Sequence, residues 1–420
     1  MKCLKNYLPV LLSAVLAMNA AGCAAASAKT ADLMHGIAPL QVSGRPADSA
    51  FCASMADFSL ELFKKSLTEK ENSLISPLSV ALALAMTANG ADHETLAQME
   101  KLLGGDIRLA ELNEYLYSYS ASLLNGDLSR LSIANSIWLR DNSDRLRVEP
   151  AFLQTNAGYY SAAAYKSAFD SQTVKDINNW VKSNTAGMID SILHEIDETD
   201  LMFLINAVMF DAQWQRVYYV ENIIEGDFTD INGATQKVDF MYSNEGKYLD
   251  DGLATGFIKP YADGGYSFVA LLPKENVSIE TYIESLNGAR FLATLKNAQE
   301  AIVNASMPKF TYSYDIKMNE ALTALGMPDA FDIGKADFNK MGTSPEGKLY
   351  ISQVLHKTFI SVDELGTKAG AVTMVAVAPS SMENPEEPKT VRLDRPFVYA
   401  IIDNATNLPV FIGAVMSVEN

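Results

Sequence analysis

The sequence predicts one large α+β domain built mainly from antiparallel sheets, and three observations carry that prediction. Helical periodicity fills residues 51–124, β-branched and aromatic stretches dominate residues 201–418, and no internal repeat or linker interrupts the second region. The chain has 420 residues, 48% hydrophobic and 20% charged, which is enough apolar material for a sizeable core and unlike a disordered or collagen-like polymer.

In the helical part, Met55, Phe58, Leu62 and Leu67 recur at near-helical spacing. Ser76 and Pro77 open the apolar stretch 77–88, since a serine oxygen caps a helix whose first residue is proline, and Asn89-Gly90 closes it. Residues 94–103 and 109–124 continue in the same period. The texture changes at LSIANSIWLR, residues 131–140, which alternates and reads as a strand. DSQTVKDINNWVK, residues 170–182, is an amphipathic helix, whereas LMFLINAVMF, residues 201–210, is apolar on both faces and reads as a strand buried on both sides. Strands are then predicted over 240–260, 266–272, 301–312, 349–362, 391–403 and 408–418, between Gly, Asn or Asp turns, with helices at 279–297 and 316–325.

The first 22 residues have the layout of an export signal: Lys2 and Lys5, an apolar run over 7–18, then small residues. That run is too short to span a bilayer comfortably. The ending Ala20-Ala21-Gly22-Cys23 resembles the bacterial lipoprotein processing site, in which the cysteine becomes the lipidated first residue. That resemblance implies an exported protein anchored by Cys23 at the bacterial cell surface or envelope, with plain secretion as the alternative. Residues 23–50, small, polar and proline-containing, are expected to form a flexible tether, leaving 51–420 as the folded domain with Cys52 as its one cysteine. Net charge is −18, and −20 without the two leader lysines, so phosphate backbones repel the chain and nucleic acid is not an expected partner.

Searches for chemistry find little. His35, His93, His194 and His356 are scattered, none has a second ligand at metal spacing, and His194-Glu195 is not followed by the second histidine of a zinc-protease helix. No glycine-rich phosphate loop and no G-x-S-x-G elbow occurs. Neither a metal nor a cofactor is implied, and nothing supports an enzyme.

Six segments in order, however, resemble the serpin family of serine protease inhibitors: NSLISPLSVALALAMTANGADHETLAQM, INNWVKSNTAGMI, LINAVMFDAQW, MPKFTYSYDIKMNEALTALGM, LHKTFISVDELGT and LDRPFVYAI. The resemblance covers nearly everything from Phe51 onward. It implies an α+β serpin fold of about nine helices and three mostly antiparallel β-sheets with an exposed reactive-centre loop, acting as a monomer. It also implies that Ser76, Ser79, Asn206 and His356 form a hydrogen-bonded cluster beneath the main sheet, with Trp214 where that sheet opens.

In the family a protease cleaves the exposed loop, forms an acyl-enzyme, and is carried along as the loop enters the main sheet as a new strand. The resemblance places the hinge at Glu364, Gly366, Thr367, Ala369, Gly370, Ala371, Val372 and Thr373. Alternate residues Thr367, Ala369, Ala371, Thr373, Val375 and Val377 carry no charge, as an inward strand face requires. Val372 is bulkier than the alanine usual there. Fourteen residues, Thr367 to Ser380, at about 3.3 Å each span roughly 46 Å, comparable to a small protease. Counting sixteen residues from Glu364 puts the scissile bond at Ser380-Ser381, with Met382 as the alternative. No Arg or Lys lies there, so elastase-like or subtilisin-like serine proteases are the expected partners. The competing reading is a non-inhibitory serpin-fold surface lipoprotein that binds a ligand or partner.

Overall fold

A computed structural model describes residues 30–123, 125–367 and 387–418. Side-chain caps fix where most helices begin. Asp48 accepts from the N–H groups of Ala50 and Phe51 at α1 (Ser49–Lys65), and Ser76 precedes α2 (Pro77–Ala88), which starts on its proline. Asp92 starts α3 (His93–Gly104), while α4 (Leu109–Ser122) and α5 (Pro150–Tyr160) have no side-chain cap. Asp170 and Thr173 form a reciprocal capping box at α6 (Ser171–Asn184). Shorter helices are α7 (Ile279–Ser285), α8 (Gly288–Lys296) and α9 (Asn319–Ala324). Among the described residues no helix is long and apolar enough to cross a membrane.

Three sheets accompany these nine helices among the described residues. The main sheet has the order β1 (Ala31–Asp32), β5 (Ala163–Ser167), β3 (Ser129–Arg140), β6 (Met202–Gln213), β15 (Gly366–Thr367), β14 (Gln353–Val362), β12 (Phe310–Lys317). The second runs β16 (Lys389–Arg392), β11 (Gln299–Pro308), β8 (Thr235–Asp250), β9 (Ala254–Pro260), β10 (Tyr266–Pro273), β17 (Phe397–Asp403), β18 (Pro409–Val415), β2 (Ser73–Ile75), with β7 (Ile223–Thr229) beside the start of β8. A two-stranded ribbon joins β4 (Arg147–Val148) to β13 (Gly342–Thr343). Most pairings are antiparallel; β3 with β5, β6 with β14 and β11 with β16 are parallel.

The two-faced apolar run of β6 follows from its place. On one face Met202, Leu204, Val208 and Phe210 join the large core that also holds α2, and every residue of α2 is buried. On the other face Phe203, Ile205 and Ala207 pack under Ile177 and Val181 of α6 together with Trp138. The strand is therefore covered on both sides, which favours a continuous apolar sequence over an alternating one.

Some predicted elements divide. The stretch 240–260 is broken by the turn 251–253 into β8 and β9, and 301–312 is broken at Lys309, whose N–H turns aside to Asp239 O. The helix predicted over 316–325 begins only at Asn319, because Ile316 and Lys317 remain paired to β14. The tether expected over 23–50 is, from Thr30 onward, laid against the body. Ala31 and Asp32 pair with β5, Leu40 N–H donates to Gln154 O, and Arg45 N–H donates to Glu114 O. A small-residue segment fits there because the outer edge of β5 offers it backbone partners.

Close backbone approach sets one sharp constraint where β17, β18 and β2 meet. A Cβ on Gly413 would stand 2.3 Å from Ser73 O and 2.9 Å from the Tyr399 ring. Gly413→Ala is expected to lower unfolding free energy by about 1–3 kcal/mol through forced strand separation. An unchanged urea midpoint would contradict that close approach.

Candidate functional site

Two polar stations lie along β6. The lower one begins with the parallel pairing of His356 on β14 opposite Asn206. Both side chains are fully buried, so each polar atom needs a partner. Ser76 N–H donates to His356 Nε2 (3.1 Å), which therefore carries no proton, and Nδ1–H donates to Asn206 Oδ1. Asn206 Nδ2 passes the chain on to Asn135 Oδ1 at 2.5 Å. Asn135 Nδ2 donates to Ser79 O (3.1 Å), and Ser79 Oγ donates back to Asn135 Oδ1 (3.3 Å). Four of the residues predicted to cluster are thus joined: Ser76, Ser79, Asn206 and His356.

Asn135 is the member that sequence reasoning missed. A signal was present, because Ile133, Asn135 and Ile137 share one face of an alternating strand and an asparagine among them is an inward polar group in need of partners. With Asn135 included, the cluster ties three neighbouring strands, β3, β6 and β14, to the start of α2.

The upper station is at the far end of β6, where Trp214 lies apart from the other four. Trp214 stacks on Tyr261 at 4.5 Å and donates Nε1–H to Asp363 O (2.9 Å). Its N–H donates to Leu365 O, and Tyr218 N–H donates to Glu364 O, both at 2.9 Å. All three carbonyls of the turn 363–365 are thereby held from the Trp214 side. The turn closes on itself as well, with Asp363 Oδ1 accepting from the N–H groups of Leu365 and Gly366. Lys309 forms an ion pair with Glu364 at 2.8 Å, and this contact holds the Glu364 carboxyl below its ordinary pKa.

The hinge leads from that turn into the main sheet. Lower down, β6 and β14 pair directly, Phe203–Ala207 against Gln353–Lys357, but at the top they are parted by β15, with Gly366 opposite Gln213 and Thr367 opposite Ala212 and Val362. A Cβ on Gly366 would lie 2.1 Å from Ala212 O, so only glycine fits. Thr367 is buried, and its hydroxyl shares a 2.5 Å hydrogen bond with Tyr261. The first residue of the predicted inward face is therefore already inward. The remaining hinge positions Ala369 to Thr373, the bond candidates Ser380, Ser381 and Met382, and Cys23 lie outside the described residues. Among the described residues no group of three His, Cys, Asp or Glu side chains gathers to hold a metal.

The family model described as "Serpin (serine protease inhibitor)" matches residues 53–418. The chain is a serpin. Its serpin relatives include "Leukocyte elastase inhibitor A" of Mus musculus, 30% identical and spanning 86% of this chain and 97% of that one. Another is "Serpin-Z7" of Hordeum vulgare, 32% identical over 82% of this chain and 89% of that one. Among solved structures, the thermophilic serpin tengpin in its native state superposes with a TM-score of 0.88 at 57% identity, covering 93% of this chain and all of that one. Tengpin in its latent state gives 0.79 at 55% identity, covering 90% of this chain and all of that one. The serpin described here thus has a shape nearer the native form, consistent with β6 and β14 still paired along their lower halves.

Burial pushes the His356 imidazole down to about 3 from its ordinary 6.5. Below pH 6.5 the unfolded chain takes up a proton that the folded chain refuses. The stability of neutral His356 is thus fully present above that pH and is lost as pH falls toward about 3. His356→Gln is expected to show a shallower decline of unfolding free energy between about pH 6.5 and 4.5, by up to about 1.4 kcal/mol per pH unit. Equal slopes for the two proteins in urea titrations would mean that the imidazole is not held neutral.

Proposed function

We propose that this serpin is a suicide-substrate inhibitor of extracellular serine proteases of elastase-like or subtilisin-like specificity. The observation that carries the reading is the two-residue strand Gly366–Thr367, already paired between β6 and β14. An uncleaved loop that enters the sheet by two residues has its insertion nucleus formed, and the turn that must precede the new strand is in place. After cleavage, each further residue would add ladder hydrogen bonds and every second one would bury an uncharged inward-facing side chain, at roughly 1 kcal/mol per bond or side chain. An ester-linked protease would travel with the strand, and its active site would be distorted where it meets the far end of the body.

Specificity is argued from the bond itself. Small or apolar residues at Ser380, Ser381 and Met382, with Pro379 preceding, suit a protease whose primary pocket takes small side chains and offer nothing to one that needs Arg or Lys. The leader supports a further part of the reading, a lipid anchor at Cys23 that would hold the inhibitor at a bacterial surface. Metabolic labelling with a radioactive fatty acid, lost in Cys23→Ala, tests that part separately.

Incubation with elastase, subtilisin and trypsin followed by denaturing gels tests inhibition. A heavier band surviving denaturant is expected with the first two and not with trypsin, and the mass of the released C-terminal peptide identifies the bond. Clipping without a complex would favour the non-inhibitory alternative. Thr367→Arg is expected to abolish the complex while leaving cleavage at the same bond, since a guanidinium cannot take the buried place against Tyr261 without losing its hydration. Retention of the complex by this variant would rule out entry through Thr367.

A further inference from the structure

A buried charge pair lies directly behind the hinge station. Lys259 on β9 is 1% exposed, and its Nζ donates to Glu245 Oε1 at 2.9 Å and to Arg216 O at 3.1 Å. Glu245, also buried, accepts from Ser243 Oγ at 2.7 Å. The ammonium stands 4.2 Å from the Tyr218 ring centroid and 5.4 Å from that of Trp214. Residues 214, 216 and 218 thus wrap one cation with a ring, a carbonyl and a ring. The same segment turns its Trp214 and Tyr218 N–H groups the other way, onto the carbonyls of Leu365 and Glu364.

We propose that the Lys259–Glu245 pair is a positioning element for the hinge. By holding segment 214–218 around the ammonium, it fixes the path in which those two N–H groups meet the hinge turn, and so keeps Gly366 and Thr367 seated at the top of the sheet. A buried ion pair is a costly way to gain stability, and apolar residues of similar size often serve as well or better. What an apolar replacement cannot supply is a fixed point that attracts a carbonyl oxygen and two ring faces from different directions. The part of this inference that concerns protease trapping rests on the inhibitory reading above; the part that concerns hinge order does not.

The test compares Lys259→Met, Glu245→Leu and the double variant, using full-length uncleaved protein. Each single change leaves an unpaired buried charge and is expected to lower the urea midpoint, whereas the double variant is expected to regain it. The hinge should not recover with it. Hydrogen exchange of peptides covering 214–218 and 363–367 is expected to run at least about tenfold faster than wild type in the double variant, even at restored stability. Tyr218→Leu, which keeps the ion pair but removes one ring from around it, should speed exchange in the same peptides. If hinge exchange returns to the wild-type rate along with the urea midpoint, or never changes in any variant, the pair is only structural and the proposal fails. In the protease assay the double variant should yield more clipped, uncomplexed product. If wild type itself forms no complex, the inhibitory reading fails while the exchange result still decides this one.

Discussion

The structure depends on β6 keeping two neighbours by different means, and the inhibitory reading requires it to be able to part from one of them. On its β3 side the strand is paired from Met202 to Ala212; on its β14 side direct pairing stops at Ala207, and β15 takes over at the top. An apolar seam between β6 and β14 would be at least as stable, since a buried hydrogen bond contributes only about 1 kcal/mol net. The seam instead carries His356 and Asn206 in direct contact. Hydrogen-bonded groups of this kind are directional, so they fix register, and they re-pair with new partners at little cost if a strand intervenes. A dry aliphatic seam would leave a cavity on parting.

At the centre of that seam His356 is kept uncharged. His356 has Ser76 N–H pointing at Nε2, a donor that a protonated ring could not accept. The imidazole is thus held in one tautomer by an α2 backbone group, and α2 in turn is wholly enclosed. The formal charges of the hinge region are paired at its margins instead, at Lys309 with Glu364 and at Lys259 with Glu245. The two pairs differ in kind. Lys309 and Glu364 are partly exposed and screened by solvent, so their pairing steers more than it stabilises. Lys259 and Glu245 are dry, and their geometry is correspondingly fixed.

Much of this was legible in the sequence, and what was missed has physical reasons. Ser76, Ser79, Asn206 and His356 lie in segments whose order and spacing are specific, and all four meet. Trp214 lies just beyond the end of β6 against the turn 363–365, but the residues beneath it, Tyr261 and Lys259, are not picked out by the sequence, because a lysine on a strand reads as solvent-facing unless its partner is known. Glu245 is fourteen positions away across a turn, and no periodicity links the two. Element types were mostly readable, whereas boundaries failed where backbone partners from elsewhere decide them, as at Lys309 and at Ile316. The segment after Thr30 read as a tether because its composition is polar and small; what orders it is an unfilled strand edge that composition cannot reveal.

Placing both polar stations on one strand has a mechanical consequence. From Asn206 to Trp214 is eight residues, or about 26 Å of extended chain. A strand buried on both faces and paired along one whole side does not bend freely over that distance, so under the inhibitory reading a displacement of β6 at the hinge end would be carried toward Asn206. Tightening one station must then resist opening at the other, and loosening either weakens both. The balance between a loop that stays out and one that enters would therefore be set by the sum of the two stations. The Lys259–Glu245 pair would act on that sum through segment 214–218, whose N–H groups hold the hinge turn.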